Sequence, residues 1–301
     1  MNFPEPIQLQ LGDTRKVKKL PTVPSLIKWT GSKRALAPKI MGFKPNYNRY
    51  IEPFLGGGSM LYLAAVPGSI ASDIYKPLIE LWKLIQKDPD QVINDYRKQS
   101  ELLNQELDNI NYKDLLSTRN IPYYFYMVRD RFNLLQDPLD LNFIMRTCVN
   151  GIVRFNVKGD FNNSFHLSRR GMVADRFEKN VRLWSSAIKD VSFESQDYKI
   201  TLEQSKKGDF VYLDPPYAGN KQRYIDDIEV AGFFNALEDL NKRGVFWALS
   251  FDGSRGEKDL IHDVPESLYR RHVLQKSGNS AVNKVLNGPI ELVSESLYLN
   301  Y

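Results

Sequence analysis

A chain of 301 residues that is 42% hydrophobic and 26% charged has the proportions of a globular, enzyme-sized protein with one sizeable core and room for an insertion. One cysteine, Cys148, excludes an intramolecular disulfide, no Cys or His pair stands at metal-ligand spacing, and neither an apolar leader nor a run of 18 apolar residues is present, so a metal-free protein of a reducing, cytoplasmic compartment, away from the membrane, is expected. The formal net charge of +5 is unevenly spread: residues 1–49 hold ten Lys or Arg against Glu5 and Asp13, and residues 151–182 hold seven against Asp160, Asp175 and Glu178, which suits phosphate-facing surfaces.

Residues 1–23 mix charge, Pro and Gly without periodicity and read as an N-terminal arm. A strand over 50–54 then runs into Gly56-Gly57-Gly58 and an apolar helix start at 59–63, a strand, glycine turn, helix unit. A second strand at 69–73 ends in Asp73, and Leu78, Leu81, Trp82 and Ile85 repeat at helical spacing over 77–86. The alternation stops over 87–180, where polar helices, the aromatic cluster Tyr123-Tyr124-Phe125-Tyr126 and a Gly/Asn-rich basic stretch predict an inserted, mainly helical domain. It resumes with strands at 191–194, 210–213 and 245–250 and a helix at 233–243, and the chain closes on 292–301, patterned for an edge or late antiparallel strand. Residues 24–86 and 181–301 are therefore expected to form one α/β domain around a parallel sheet with covering helices.

The strongest chemical signal is Asp214-Pro215-Pro216-Tyr217, directly after the apolar strand 210–213 and so at the carboxyl end of a sheet strand, where open α/β sheets bind ligands. An exocyclic base amine is a poor nucleophile because its lone pair is delocalised into the ring. The Asp214 carboxylate and the Pro215 carbonyl offer two acceptors for its hydrogens, Pro216 fixes the turn, and Tyr217 offers a stacking face for an extruded base. The second signal is Glu52-Pro53-Phe54-Leu55-Gly56-Gly57-Gly58-Ser59. Its glycines let a ligand lie against the backbone at a helix start, and the spacing is not that of a dinucleotide site. Asp73 fits either an acceptor for ribose hydroxyls or a cap for the helix that follows.

On these residues the chain resembles the Dam-type family of DNA adenine-N6 methyltransferases of bacteria and phages. The resemblance runs from Leu26 almost to the end. It takes in Lys28-Trp29-Thr30-Gly31-Ser32-Lys33, Asn150-Gly151-Ile152-Val153-Arg154-Phe155-Asn156-Val157-Lys158-Gly159-Asp160-Phe161-Asn162, which is similar to the family's recognition hairpin, and the closing strand 295–301. It implies a Rossmann-like methyltransferase sheet with an inserted, mainly helical DNA-recognition domain carrying a β-hairpin. It also implies S-adenosylmethionine as cofactor, double-stranded DNA as partner, base flipping, and no need for a metal or an oligomer. By the same resemblance Trp29, Thr30, Gly31, Lys33, Phe54, Gly56, Asp73, Asp197, Tyr198 and Asp214 meet the cofactor. Lys28 and Arg154 read guanines of GATC, Ile152 packs on a thymine methyl, Asn150 fills the gap left by the flipped adenine or holds the backbone, and Lys158 meets phosphate. Judged by residue type alone, Lys33 and Asp197 pass for surface charges, Lys28 for a phosphate contact and Arg154 for a salt-bridge partner. Methylation of base amines in RNA, or a nucleic-acid-binding module without catalysis, stay open as alternatives.

Overall fold

Five short parallel strands build the centre of the computed structural model: β1 (Tyr50–Glu52), β2 (Ile70–Asp73), β3 (Ser192–Ser195), β4 (Phe210–Leu213) and β5 (Phe246–Ser250). They are hydrogen-bonded in the order β3-β2-β1-β4-β5. An antiparallel strand β9 (Leu292–Leu299) continues the sheet beside β5 and is itself flanked by β8 (Arg271–Asn279). Two-residue strands β6 (Ser254–Arg255) and β7 (Lys258–Asp259) extend the sheet past the far end of β9. The structure describes residues 22–111, 121–216, 229–251, 264–279 and 292–301, with the backbone of β6 and β7. This is the doubly wound, Rossmann-like sheet that the sequence predicts.

Period-two alternation sends the strand side chains into two cores. Tyr50, Phe210, Tyr212 and Ala248 enter one, and Ile51, Val211, Leu213, Trp247 and Leu249 the other. β1 and β4 are buried throughout, as the inner strands of a parallel sheet covered on both faces must be. The helices are α1 (Ala37–Ile40), α2 (Leu61–Ala64), α3 (Lys76–Lys87), α4 (Pro89–Asn109), α5 (Tyr123–Leu135), α6 (Pro138–Thr147), α7 (Ala174–Ala187), α8 (Tyr198–Glu203) and α9 (Val230–Lys242). α9 lays Phe233, Leu237 and Leu240 on the second core.

Two helices of the insert, α4 and α6, start on the same device. Asp88-Pro89 and Asp137-Pro138 each put a carboxylate on a free N–H of the first turn, Gln91 at 2.9 Å and Leu139 at 2.8 Å, with proline at the position whose N–H has no partner in a helix. These helices share the first core with the sheet: Trp184 of α7 packs 4.9 Å from Trp82 of α3 and donates to the Pro24 carbonyl at 2.9 Å. α7 runs unbroken through residue 180, where the sequence reading ends the insert.

Besides the short helix α8 and the two-residue strands β6 and β7, which the sequence does not announce, three elements depart from expectation. β1 stops at Glu52, because Pro53 has no N–H to give the ladder. Residues 271–279, which carry few apolar side chains, form β8 although no strand was expected there. They pair with β9, and a strand at the edge tolerates that polarity. The hairpin has no continuous strands. It is pinned by two antiparallel bridges, Cys148 with Phe165 and Phe155 with Phe161, and by asparagine side chains. Asn133 of α5 gives and takes a hydrogen bond with the Phe161 backbone (3.2 and 2.8 Å), and Asn163 donates to the carbonyls of Val149 and Ile152, both at 2.9 Å.

Candidate active site

β1 lies between β2 and β4, so the chain winds away from it in both directions and a crevice opens beyond the carboxyl ends of β1 and β4. The glycine turn follows β1 and Asp214 follows β4. Strand order alone therefore brings together the two strongest motifs, far apart in the chain. Between them lies a cavity of about 650 Å³.

The glycine turn is shaped by two tryptophans. Gly56 (φ +46°) and Gly58 (φ +63°) take left-handed backbone, and a Cβ would stand 2.8 Å from the Trp29 ring at the first and 2.9 Å from the Trp82 ring at the second. Trp82 also donates to the Gly56 carbonyl at 3.2 Å, and Ser32 meets Ser59 at 3.0 Å, which ties the 29–33 segment to the turn. Trp29, Thr30, Gly31 and Lys33 accordingly line the cavity with Phe54 and Gly56.

Asp73 ends β2 and accepts from two backbone N–H groups, Gly56 at 3.0 Å and Tyr75 at 3.0 Å. It thus ties the glycine turn to the start of α3 while facing the cavity. Burial raises its carboxyl above the ordinary range, and the N–H groups of Tyr75, Gly56 and Ile74 oppose the rise. Asp197 caps α8 by accepting the Lys199 N–H at 2.8 Å, and it lines the same cavity with Tyr198, whose ring lies 5.2 Å from that of Phe54.

Asp214 is half-buried at the cavity wall with Pro215 and Pro216, and Tyr217 lies outside the described residues. Lys33 is no solvated charge. Its side chain is 5% exposed, and its ammonium stands 3.0 Å from Asp214 Oδ1 and 3.4 Å from Glu295 Oε2. Glu52, the last residue of β1, is buried under the site and accepts from the Tyr50 hydroxyl at 2.9 Å. Burial raises its carboxyl well above the ordinary range, the Tyr50 hydrogen bond opposes this, and the charge of Asp214 adds to it.

Sequence reasoning gave no role to Glu52, Ile74, Tyr75, Phe155, Glu229 or Glu295. Ile74 is an apolar side chain 55% exposed at the cavity wall, and its signal was its place directly after the strand-ending acid. Phe155, from the hairpin, reaches the cavity with its ring 5.2 Å from Tyr75, which stands 5.8 Å from Trp29. Only three-dimensional placement reveals it.

The remaining candidates are Lys28, directly before Trp29, and four residues of the hairpin beside the cavity. Lys28 packs its stem on Gly151, and its ammonium is lowered by burial and then by Arg146, Arg34 and Arg169, a local crowd of cations. Asn150 takes left-handed backbone (φ 58°) and is exposed, and Ile152 is half-buried. Arg154 is exposed, its guanidinium resting on the Asn162 side chain (2.9 Å) and carbonyl (3.3 Å). Lys158 sits exposed at the tip. Cys148 is buried, its thiol pushed up to about 12 by burial, which suits an inert filler. Among the described residues no group of three His, Cys, Asp or Glu is placed to hold a metal, and no helix is long and apolar enough to cross a membrane.

Comparison with known proteins gives a consistent match. Residues 29–276 match the family described as D12 class N6 adenine-specific DNA methyltransferase. The chain is 30% identical over 258 residues to the type II methyltransferase M.MjaIII of Methanocaldococcus jannaschii, spanning 76% of this chain and 84% of that protein. It is 26% identical over 292 residues to the type II methyltransferase M1.LlaDCHI of Lactococcus lactis subsp. cremoris, spanning 91% and 94%. It is 28% identical over 198 residues to the DNA adenine methylase of Serratia marcescens, spanning 64% and 67%.

Proposed function

This chain belongs to the D12 class of N6 adenine-specific DNA methyltransferases, and from that premise we propose that it transfers the methyl group of S-adenosylmethionine to the N6 amine of an adenine flipped out of duplex DNA, within GATC. The observation that carries the reading is the meeting of the Asp214-Pro215-Pro216 turn with the glycine turn and Asp73 in one cavity.

The residues present suit the cofactor. The glycine turn keeps its backbone open to a ligand where side chains would collide with tryptophans. A carboxylate offers about four lone-pair sites, so Asp73 can accept ribose hydroxyls while keeping its two backbone bonds. Ile74, Phe54 and Tyr198 supply apolar walls for an adenine ring, and Asp197 an acceptor at its edge. The cofactor supplies a methyl group on a positively charged sulfur, which the acidic lining around Asp73 and Asp214 favours.

At the substrate, Asp214 and the Pro215 carbonyl accept the two amine hydrogens, so the nitrogen pyramidalises with its lone pair free to attack. The prolines hold that carbonyl in place, and positioning of this kind supplies on the order of 7–11 kcal/mol in well-oriented reactions. A base inside a duplex cannot reach the cavity, which is why flipping is required, with Tyr217 as the stacking face. Lys28 and Arg154 serve as guanine readers, Ile152 meets a thymine methyl, Asn150 supports the vacated position, and Lys158 meets phosphate. The packing of Lys28 against Gly151 supports this reading, since it gathers these residues on one exposed surface next to the cavity.

The test is expression with a reporter plasmid in a methylation-free host, followed by single-molecule mapping of N6-methyladenine. Modification confined to GATC is expected. A motif lacking GA-T would overturn the base code, and unmodified DNA the whole reading.

A further inference from the structure

Lys33 sits where its backbone is fixed before its side chain is considered. Its carbonyl accepts the N–H of Leu36 at 2.8 Å and of Ala37 at 2.7 Å, which anchors the residue to the first turn of α1. The side chain then runs inward, and among the described residues its ammonium meets Asp214 Oδ1 at 3.0 Å, Glu295 Oε2 at 3.4 Å and the Gly31 carbonyl at 3.4 Å. A buried ammonium costs several kcal/mol unless it is well paired, so this arrangement is held by its partners and not by solvent. Glu295 belongs to β9, in register with Gln275 of β8. The last strand of the sheet therefore reaches the catalytic turn through one lysine.

Among the described residues, the ionisable groups around Asp214 are mostly acids. Glu52 comes from the end of β1 and Glu295 from β9, with Asp73 and Glu229 lining the same cavity, and Lys33 is a cation set among them. Without that cation, neighbouring negative charge and burial would both favour the protonated form of Asp214. A protonated carboxyl has lost acceptor capacity that the amine needs.

We propose that Lys33, clamped by Glu295, is a positioning residue for Asp214, fixing the direction of its carboxylate and holding it ionised toward the substrate amine. The inference rests on the adenine-amine reading above. It takes Lys33 out of the role of a cofactor ligand and gives Glu295 a function that no motif assigns.

The two partners act on Asp214 with opposite sign, and that makes the test. Single-turnover methylation of a GATC duplex by the full chain is followed from pH 5 to 9 for wild type, Lys33→Met, Lys33→Arg and Glu295→Gln, with S-adenosylhomocysteine affinity measured by calorimetry on each. Lys33→Met is expected to slow transfer by about 100-fold and move the acid limb of the rate profile upward by about one unit, with affinity for S-adenosylhomocysteine within about threefold of wild type. Lys33→Arg restores most of the rate. Glu295→Gln, which removes a negative charge at nearly constant shape, moves the acid limb downward and slows transfer by only about threefold. A loss of S-adenosylhomocysteine affinity matching the loss of rate would make Lys33 a cofactor ligand and overturn the proposal, as would acid limbs that stay in place or move together. If Lys33→Met does not fold, the downward shift in Glu295→Gln decides alone. A wild type that leaves adenine unmethylated sinks the underlying reading instead.

Discussion

At the switch point of the sheet Asp73, the glycine turn and Lys33 are tied down by burial or by the backbone, whereas on the hairpin Asn150, Arg154 and Lys158 stand in solvent on a loop held by asparagines. Asp73 holds two N–H groups, Gly56 and Gly58 are walled by tryptophans, and Lys33 is buried on Asp214. Arg154, by contrast, rests on Asn162 through contacts that a guanine edge can replace, and Lys158 is exposed at the tip. Transfer chemistry needs its groups in place before the substrate arrives, while a reading surface can complete its hydrogen bonds on the ligand. The expected consequence is an all-or-none response to substitution in the cavity and a graded one on the hairpin.

The largest effect is expected from Asp214→Ala. Removing one preorganised hydrogen-bonding group costs roughly 10²–10³ in kcat, and here it also takes away the carboxylate 3.0 Å from the Lys33 ammonium, so transfer should fall below detection. S-adenosylhomocysteine binding, read by calorimetry, should stay within about tenfold. Near-normal turnover would break the comparison at its root.

Asp73→Ala comes next. It frees the Gly56 and Tyr75 N–H groups and removes the acceptor for ribose, and charge-assisted hydrogen bonds are worth about 1.5–3 kcal/mol each. The dissociation constant of S-adenosylhomocysteine should rise about 10- to 100-fold, with a lower melting temperature. A lower melting temperature with unchanged affinity would leave Asp73 as a structural tie alone.

Much of the cavity was legible in the sequence for a physical reason: strands, glycine turns and strand-ending acids are local patterns, and the doubly wound sheet has one place where their ends meet. Asp214 after 210–213 and the glycines after β1 needed only that rule. What escaped was set by contacts between distant segments. The burial of Lys33 depends on Glu295 and Asp214, neither of which is near it in the chain. Phe155 enters the cavity because Asn133 of α5 holds the hairpin in place. β8 carries too few apolar residues to announce itself and exists because β9 offers it a ladder. Asp197 looked like a surface acid because capping α8 and lining a cavity leave the same trace in sequence.

On the hairpin the effects should be smaller and separable by kind. Arg154→Ala is expected to cost about 1–3 kcal/mol on the cognate duplex and to relax the base choice at one position. Lys158→Ala should weaken all sequences alike and reduce the salt dependence of binding by about one phosphate contact. Binding titrations on cognate and single-mismatch duplexes at several salt concentrations separate the two. If Arg154→Ala weakens every duplex equally, the arginine is a phosphate contact and the hairpin reads through other residues.

The smallest effect should come from Glu52→Gln, although Glu52 lies buried beneath the catalytic turn. Burial raises its carboxyl well above the ordinary range, so the folded protein holds a proton there that the unfolded chain releases at lower pH. The stability due to that proton is complete below the ordinary carboxyl range and is lost as pH rises through the raised folded value. Glutamine has no proton to lose and can still accept from the Tyr50 hydroxyl through its amide oxygen. Melting temperatures measured from pH 4 to 9 should therefore coincide at the acid end and separate upward in favour of Glu52→Gln, with methylation at neutral pH within about twofold of wild type. A variant that melts below wild type across the range, or one that loses transfer as Asp214→Ala does, would mean that Glu52 works as an anion. The cavity would then hold one more charged carboxylate at the catalytic turn, under Asp214.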